Sequence, residues 1–440
     1  MRKLREVGRD RAKWSVSVAE ASFPAPFSSE LEFNAPVHGT WNIVHTGMLV
    51  PEAQQIYVCA ANCMRGVVLT AAEMNASERF SFVILEEKDL LRGSVETVTI
   101  QGVADVIRRL PKRPPVVMLY TVCLHHFLGS DLGYIYRALE KEFPDIFFAR
   151  CYMDPIMRKN GLTPDQETRN SMYEPLRPRP MRPKTVTVLG GDFALDETSD
   201  LVRMLERGGY TLRQIQSCKS YEEYLALAEG ALFLSTYPGG KYGAEQAAKR
   251  LNRPHLYLPA CFGYEEITAH LNALAAALGL PAVDPAERIA ACEAALAGAK
   301  AAIGETPVSI DYTFHPRPLG LARLLLEHGF RVETVYLDAA SEEERADFRW
   351  LQENAPSLRL TATVQVGMRV QPRNDPGLSL GQKAAWFTGT RHFVNLVEGG
   401  GLYGFDGVCR LAEQMKEAAA EEKDTEDLVP RKGLGCESCI

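Results

Sequence analysis

Residues 56–64 read IYVCAANCM, and the reading of that stretch decides what the rest of the chain can be. A short apolar run ends at Cys59, Cys63 follows four residues later, and Arg65-Gly66 leads into a second apolar segment, VVLTAAEM. A run of strand length passing straight into a helical pattern is the start of a βαβ unit. The same design recurs downstream. FSFVILEE (80–87) reads as a buried strand, and VETVTIQGVADVIRRL (95–110) as an amphipathic helix with Val103, Val106, Ile107 and Leu110 on one stripe. PPVVMLYTVC (114–123) is a strand ending at Cys123, DLGYIYRALEKEF (131–143) a helix, and DIFFARCY (145–152) a further strand. Strands alternating with helices predict a parallel, doubly wound sheet, in which ligands sit beyond the carboxyl ends of the strands. Cys59, Glu87, Cys123 and Cys151 are all expected there. Thiolates so placed are the soft ligands an iron–sulfur cluster needs, whereas a free thiol also packs as a small hydrophobe.

The remainder divides by composition. YEPLRPRPMRPK (173–184), with four prolines in twelve residues, reads as a semi-rigid connector. After it, TVTVLGG, ALFLSTYPGG and HLYLPACFG are strands separated by helices, and an alanine-rich helical region follows over roughly 264–302. VSIDYTF, RVETVYL, TATVQVG and TRHFVNLV then alternate with helices up to a glycine loop, GGGLYGFDG, and a last helix. The expected organisation is α/β: three Rossmann-like lobes with mainly parallel sheets. The N-terminal extension and first lobe take 1–174 and the connector 175–184. The second lobe takes 185–303, the third 304–422 and a tail 423–440. Gly190-Gly191-Asp192 sits at a strand-to-helix turn but lacks the GxGxxG spacing that brings a pyrophosphate onto a helix N-terminus, so it reads as a structural turn.

Bulk properties narrow the function. The 440 residues carry a net charge of −7, which leaves no basic surplus for nucleic-acid phosphates. The N-terminal MRKLREVGRDRAKW lacks an apolar signal core, and no window approaches the roughly 18–20 apolar residues of a membrane span, so a cytoplasmic protein is expected. In that compartment the ten cysteines are expected as thiols. Cys218, Cys261, Cys292 and Cys409 read as packed residues, and Cys436 and Cys439 form a CESC tail able to serve redox or metal chemistry.

Taken in order, these segments resemble the nitrogenase component 1-type oxidoreductases. That family includes the α and β subunits of the molybdenum–iron protein, the dark-operative protochlorophyllide reductase subunits and the tetrapyrrole reductase of methanogens. The likeness rests on the apolar run ending at Cys59, LEEKDLLRG (85–93), TVCLHHFLGSDL (121–132), FARCY (148–152), VLGGDF (188–193) and GGGLYGFDGVCRLAEQM (399–415). The resemblance implies a [4Fe–4S] cluster held by three cysteines at a subunit interface in a homodimer or heterodimer. It also implies an ATP-hydrolysing iron protein as electron donor. Cys59 and Cys123 match two of the three positions. The family's first cysteine falls near Phe33–His38, where none is present, and Cys63 is either the third ligand or a packed thiol. The family's cofactor-binding cysteine corresponds to Ser235 and its histidine to the vicinity of Val394, two residues from His392. An iron–molybdenum cofactor is therefore not expected, and the resemblance points to a substrate other than dinitrogen, the alternative readings being a scaffold for metallocofactor assembly or a non-redox protein that binds a small anionic ligand.

Other residues carry two readings. His125 and His126 suit proton delivery beside a reducing centre, having near-neutral pKa values, or are loop histidines bonded to backbone. His392, with Arg391, precedes the glycine loop 399–401, where side-chain-free backbone would admit a bulky ligand. Glu87-Lys88-Asp89 read as a solvated charge run or a donor contact. Arg158 and Lys159 read as surface or as an anionic site, next to a helix that Thr163 caps.

Overall fold

The structure, a computed structural model, describes residues 14–28, 32–33, 35–37, 43–154, 161–370 and 377–424. Its strands are β1 (Ser15–Ser17), β2 (Gln54–Cys59), β3 (Phe80–Ile84), β4 (Val116–Val122), β5 (Phe147–Met153), β6 (Thr185–Val188) and β7 (Thr211–Gln214). The series continues with β8 (Leu232–Ser235), β9 (His255–Tyr257), β10 (Val308–Asp311), β11 (Val332–Tyr336), β12 (Arg359–Thr361), β13 (Leu378–Leu380) and β14 (His392–Val394). They form three mostly parallel sheets, shared between two compact units. One unit comprises residues 41–194 and 209–259, the other residues 1–40, 195–208 and 260–430.

In the first unit one sheet has the order β3-β2-β4-β5, all parallel. Every residue of β2 and of β4 is buried, which is why both read as near-continuous apolar runs: each is covered on both faces. One face carries Tyr57, Cys59, Tyr120 and Cys151, with the Tyr57 and Tyr120 rings stacked 4.2 Å apart. The other carries Ile56, Val58, Val117 and Leu119, packed against Val103 and Ile107 of the helix Val95–Arg109 and Ile135 and Leu139 of the helix Leu132–Glu142. A second parallel sheet of the same unit has the order β7-β6-β8-β9.

The other unit holds the order β1-β12-β11-β10-β13-β14, parallel except for β1, which pairs antiparallel with β12 (Val16 opposite Leu360). Its helix Ala286–Ile303 packs along the helix Gly404–Ala420, the last described helix of the chain. Several details depart from the sequence reading. The N-terminal region, expected to be irregular, supplies β1 and the helix Ile43–Met48. TATVQVG contributes only Thr361 to a strand, and its end belongs to a short 3₁₀ turn at Val366–Val370. β7 and β13, together with the helix Gln382–Thr388, were not anticipated. Three or four residues of mixed polarity give no period to read.

Candidate functional site

The candidate cluster cysteines lie at the carboxyl edge of the first sheet. Cys59 is the last residue of β2, and Cys123 follows the last residue of β4 and opens a short helix, Cys123–Phe127. The two strands are hydrogen-bonded neighbours, in register to Tyr57 opposite Tyr120. The two strands thus run side by side toward the carboxyl end of the sheet, where Cys59 closes β2 and Cys123 follows β4. Cys63 stands in the first turn of the helix Ala61–Glu73, its amide donating to the Ala60 carbonyl at 2.9 Å. Their environments differ: Cys59 is fully buried, Cys123 half-buried and Cys63 exposed. Burial, followed by the nearby Cys63 sulfur, raises the Cys59 thiol to about 11. A thiol so placed stays protonated at neutrality unless a cation takes the proton's place. Three soft donors on one sheet edge, two of them reachable from outside, are a donor set that fits an iron–sulfur cluster.

Other expected residues at this edge separate into bonded and open ones. His125 is buried; its Nδ1 accepts from the Val122 amide at 3.3 Å, so Nε2 carries the proton and donates to Thr99 Oγ1 at 3.2 Å. Burial lowers its pKa. Both ring nitrogens are thus engaged in holding the turn after β4. His126 is exposed, its ring 6.1 Å from that of Phe127. Glu87 opens the helix Glu87–Leu91 after β3, as expected of the carboxyl end. Within its charge run Asp89 is buried, accepting from the Glu86 amide at 2.9 Å, while Lys88 pairs with Glu86. Cys151 departs from the expectation. It lies inside β5 opposite Tyr120, fully buried, with its pKa pushed up strongly by that burial, and so belongs to the core and not to the edge. Around the edge stands a set of exposed apolar side chains: Ile84, Leu91 (82% exposed), Phe127 (65%), Leu128 and Tyr134.

The second sheet carries Ser235, the residue that the sequence resemblance sets at the cofactor-cysteine position. Ser235 ends β8, fully buried, with its hydroxyl 2.9 Å from His255 Nε2. In the other unit, His392 opens β14 and donates from Nδ1 to the Ala418 carbonyl at 3.0 Å, while Arg391 pairs with Glu422 at 3.2 Å. The glycine loop is not an open receptacle. Gly399, Gly400 and Gly401 all have positive φ. A Cβ on Gly399 would meet the His315 ring at 3.0 Å, and the cavity there is about 20 Å³, the size of a water. Glycine is needed at this turn because the chain's own side chains fill the space. His38, Arg158, Lys159, Cys436 and Cys439 lie outside the described residues.

One arrangement had no signal in the sequence. Arg169, on the helix Pro164–Ser171, is 1% exposed and forks onto Asp192 at 2.9 and 2.6 Å. It also donates to the Gly190 carbonyl at 2.7 Å and to Asp165 at 2.9 Å. The turn after β6, the one place where a nucleotide reading was weighed, is therefore occupied by an internal ion pair. Gly190, at φ 95°, has no room for a Cβ against Gly240. Thr163 caps the Arg169 helix as expected, in a reciprocal box with Gln166.

Comparison with known proteins agrees with this architecture. The sequence model of the family described as nitrogenase component 1 type oxidoreductase matches residues 58–428. No curated protein sequence matches the chain significantly. Among solved structures, one titled "Nitrogenase Cp1 at pH 6.5" is similar at TM-score 0.66 and 12% identity, covering 89% of this chain and 94% of its own. A second, "Nitrogenase Cp1 at pH 5", is similar at TM-score 0.57 and 13% identity, covering 93% and 94%. At such identities the likeness is one of fold.

Proposed function

The chain belongs to the nitrogenase component 1-type oxidoreductases, and on that premise we propose that it is a nitrogenase-like iron–sulfur subunit whose cluster is held by Cys59, Cys63 and Cys123. When bound, a [4Fe–4S] cluster would supply one-electron redox chemistry at the sheet edge. The proposed electron donor is an ATP-hydrolysing iron protein, and the substrate one other than dinitrogen. The observation that supports the reading is the placement of Cys59 and Cys123 at the ends of adjacent parallel strands, with Cys63 in the first turn of the helix that follows β2. The chain's own part is to fix these sulfurs on rigid elements. β2 and β4 are buried throughout, and the His125 bonds hold the turn that presents Cys123. His126, exposed beside Phe127, presents its imidazole to solvent at this edge. Ser235 presents a hydroxyl bonded to His255 where the family's thiolate would stand, and this favours a substrate outside dinitrogen chemistry.

Anaerobic purification followed by iron and sulfide analysis and EPR of the reduced protein tests this directly. Equal iron and sulfide, lost in Cys59→Ser and in Cys123→Ser, is the expected result. Protein free of both elements after anaerobic purification would leave three packed thiols and no redox centre. Loss of the cluster in Cys63→Ser as well would identify the third ligand within the chain.

A further inference from the structure

A second cluster of ligating side chains lies far along the sequence from the sheet-edge cysteines. Cys261 was read from sequence as a packed thiol. It ends the segment after β9, two residues before Gly263 begins the helix Tyr264–Leu278. Glu266 is in the first turn of that helix and His270 is four residues on, so the two share a face one turn apart. The ligand atoms of Cys261, Glu266 and His270 all lie within 4.8 Å of one another, the one such trio among the described residues. Cys261 Sγ stands 3.7 Å from His270 Nδ1. Tetrahedral zinc, with bonds of about 2.3 Å to sulfur and about 2.05 Å to nitrogen, requires a sulfur-to-nitrogen edge of roughly 3.6 Å. The observed spacing is that edge within about a tenth of an ångström.

We propose that Cys261, Glu266 and His270 form a mononuclear site for a zinc-class divalent cation. Thiolate and imidazole select borderline-soft ions over magnesium or calcium, and a carboxylate completes three protein ligands with one position left open. Charge favours the assignment. A thiolate and a carboxylate together set two negative charges against a divalent ion, and loading, which releases one proton, adds a single positive charge to the site. Support around the ligands is in place. Arg317, itself buried, donates to one oxygen of Glu266 at 2.5 Å and is anchored in turn by Asp347 at 3.3 Å. That contact orients the Glu266 carboxylate. An entry path exists too, since Glu266 and Arg317 line a cavity of about 560 Å³. Burial and the Glu266 charge hold the Cys261 thiol protonated in the metal-free protein. Binding therefore exchanges a proton for the ion: the S–H bond breaks, a sulfur–metal bond forms, and one proton is released to solvent.

Cobalt(II) is the probe, titrated anaerobically into the full-length protein after chelator treatment and followed by absorbance. The expected result is one equivalent per chain giving a thiolate-to-cobalt band and tetrahedral visible bands, both removed by one equivalent of zinc. Cys261→Ser should abolish the thiolate band. His270→Ala and the milder Glu266→Gln, at a half-exposed position, should weaken binding roughly tenfold or more. Cys123→Ser should leave the signal unchanged, which separates this site from the sheet-edge thiols and makes the result independent of the cluster assignment. Absence of a thiolate band in the wild-type protein, or its persistence at unchanged affinity in Cys261→Ser, would overturn the assignment.

Discussion

At the scale of single residues, the most consequential contacts are buried charges. Arg169 and Asp192 are both removed from solvent, and their stabilisation depends on each other. Breaking such a pair strands the remaining charge, at a cost of about 3–5 kcal/mol, whereas replacing both partners with apolar groups of similar volume is far milder. Asp192→Asn is therefore expected to lower the urea midpoint sharply, and the double change Arg169→Met with Asp192→Leu to recover much of the loss. Glu344 poses a different case. One of its oxygens accepts from the Leu319 amide at 2.7 Å and from the Gly320 amide, while the other is buried without a hydrogen-bond partner. Desolvation pushes its pKa from 4.5 up to about 8. A folded-state value raised above the unfolded one means that the native protein holds the extra proton. The contribution is complete below the unfolded pKa and is lost as pH rises through the folded one. Across that window wild-type stability should fall by about 1.4 kcal/mol per pH unit relative to Glu344→Gln, which stays neutral. Urea unfolding of the two proteins at pH 5, 6, 7 and 8 measures the difference, and parallel profiles would show that Glu344 is ionised throughout.

Elements show which parts of the fold local sequence encodes. β2 and β4 were legible because a parallel strand covered on both faces reads as a near-continuous apolar run, as IYVC and VVMLYTVC do, although the buried Gln54 and Gln55 that open β2 carry no such signal. The Arg169 helix was legible at its start for a comparably local reason: Thr163 and Gln166 bond each other's amides at 3.2 and 2.9 Å. Thr163→Ala should cost about 1 kcal/mol, read as a lowered unfolding midpoint with an unchanged m-value; a null effect would mean the cap is not formed in solution. β1 was not legible, since SVS becomes a strand only by pairing with residues 359–361, and nothing within three residues announces a partner that distant. β7 and β13 failed for the same reason of shortness. The candidate sites divide in the same way. Cys59 and Cys123 could be found because they end recognisable strands, and Cys151 was misplaced because DIFFARCY gives no sign that β5 continues past it to Met153. The partners of His125 and Arg169 are contributed by other segments, Thr99 and Asp192. A neutral, doubly bonded histidine and an internally neutralised arginine look the same in sequence as a catalytic pair would.

For the molecule as a whole, the carboxyl edge of the first sheet is where solvent exposure conflicts with composition. Leu91 and Phe127 stand largely in water, with Ile84, Leu128 and Tyr134 exposed along the same edge, Ile84 ending β3 and the others drawn from the segments that follow β3 and β4. Isolated exposed apolar residues are ordinary, but a group rimming one edge marks an interaction surface. The exposed Cys63 and half-buried Cys123 share that edge, so a partner covering it would exclude water from the same sulfurs that are proposed to hold the cluster. A second copy meeting the first across a twofold axis would present this edge to itself, giving a self-complementary contact. Leu91→Glu combined with Phe127→Glu places like charges face to face in that arrangement. The two positions are open to solvent within the chain, so fold stability should change by no more than about 0.5 kcal/mol per site. Light scattering should then report a monomer for the variant and a dimer for the unsubstituted protein, and iron content should fall with the mass if both copies shield one cluster. Iron retained by a monomer would place the cluster within a single chain. An unchanged dimer would move the interface away from this edge altogether.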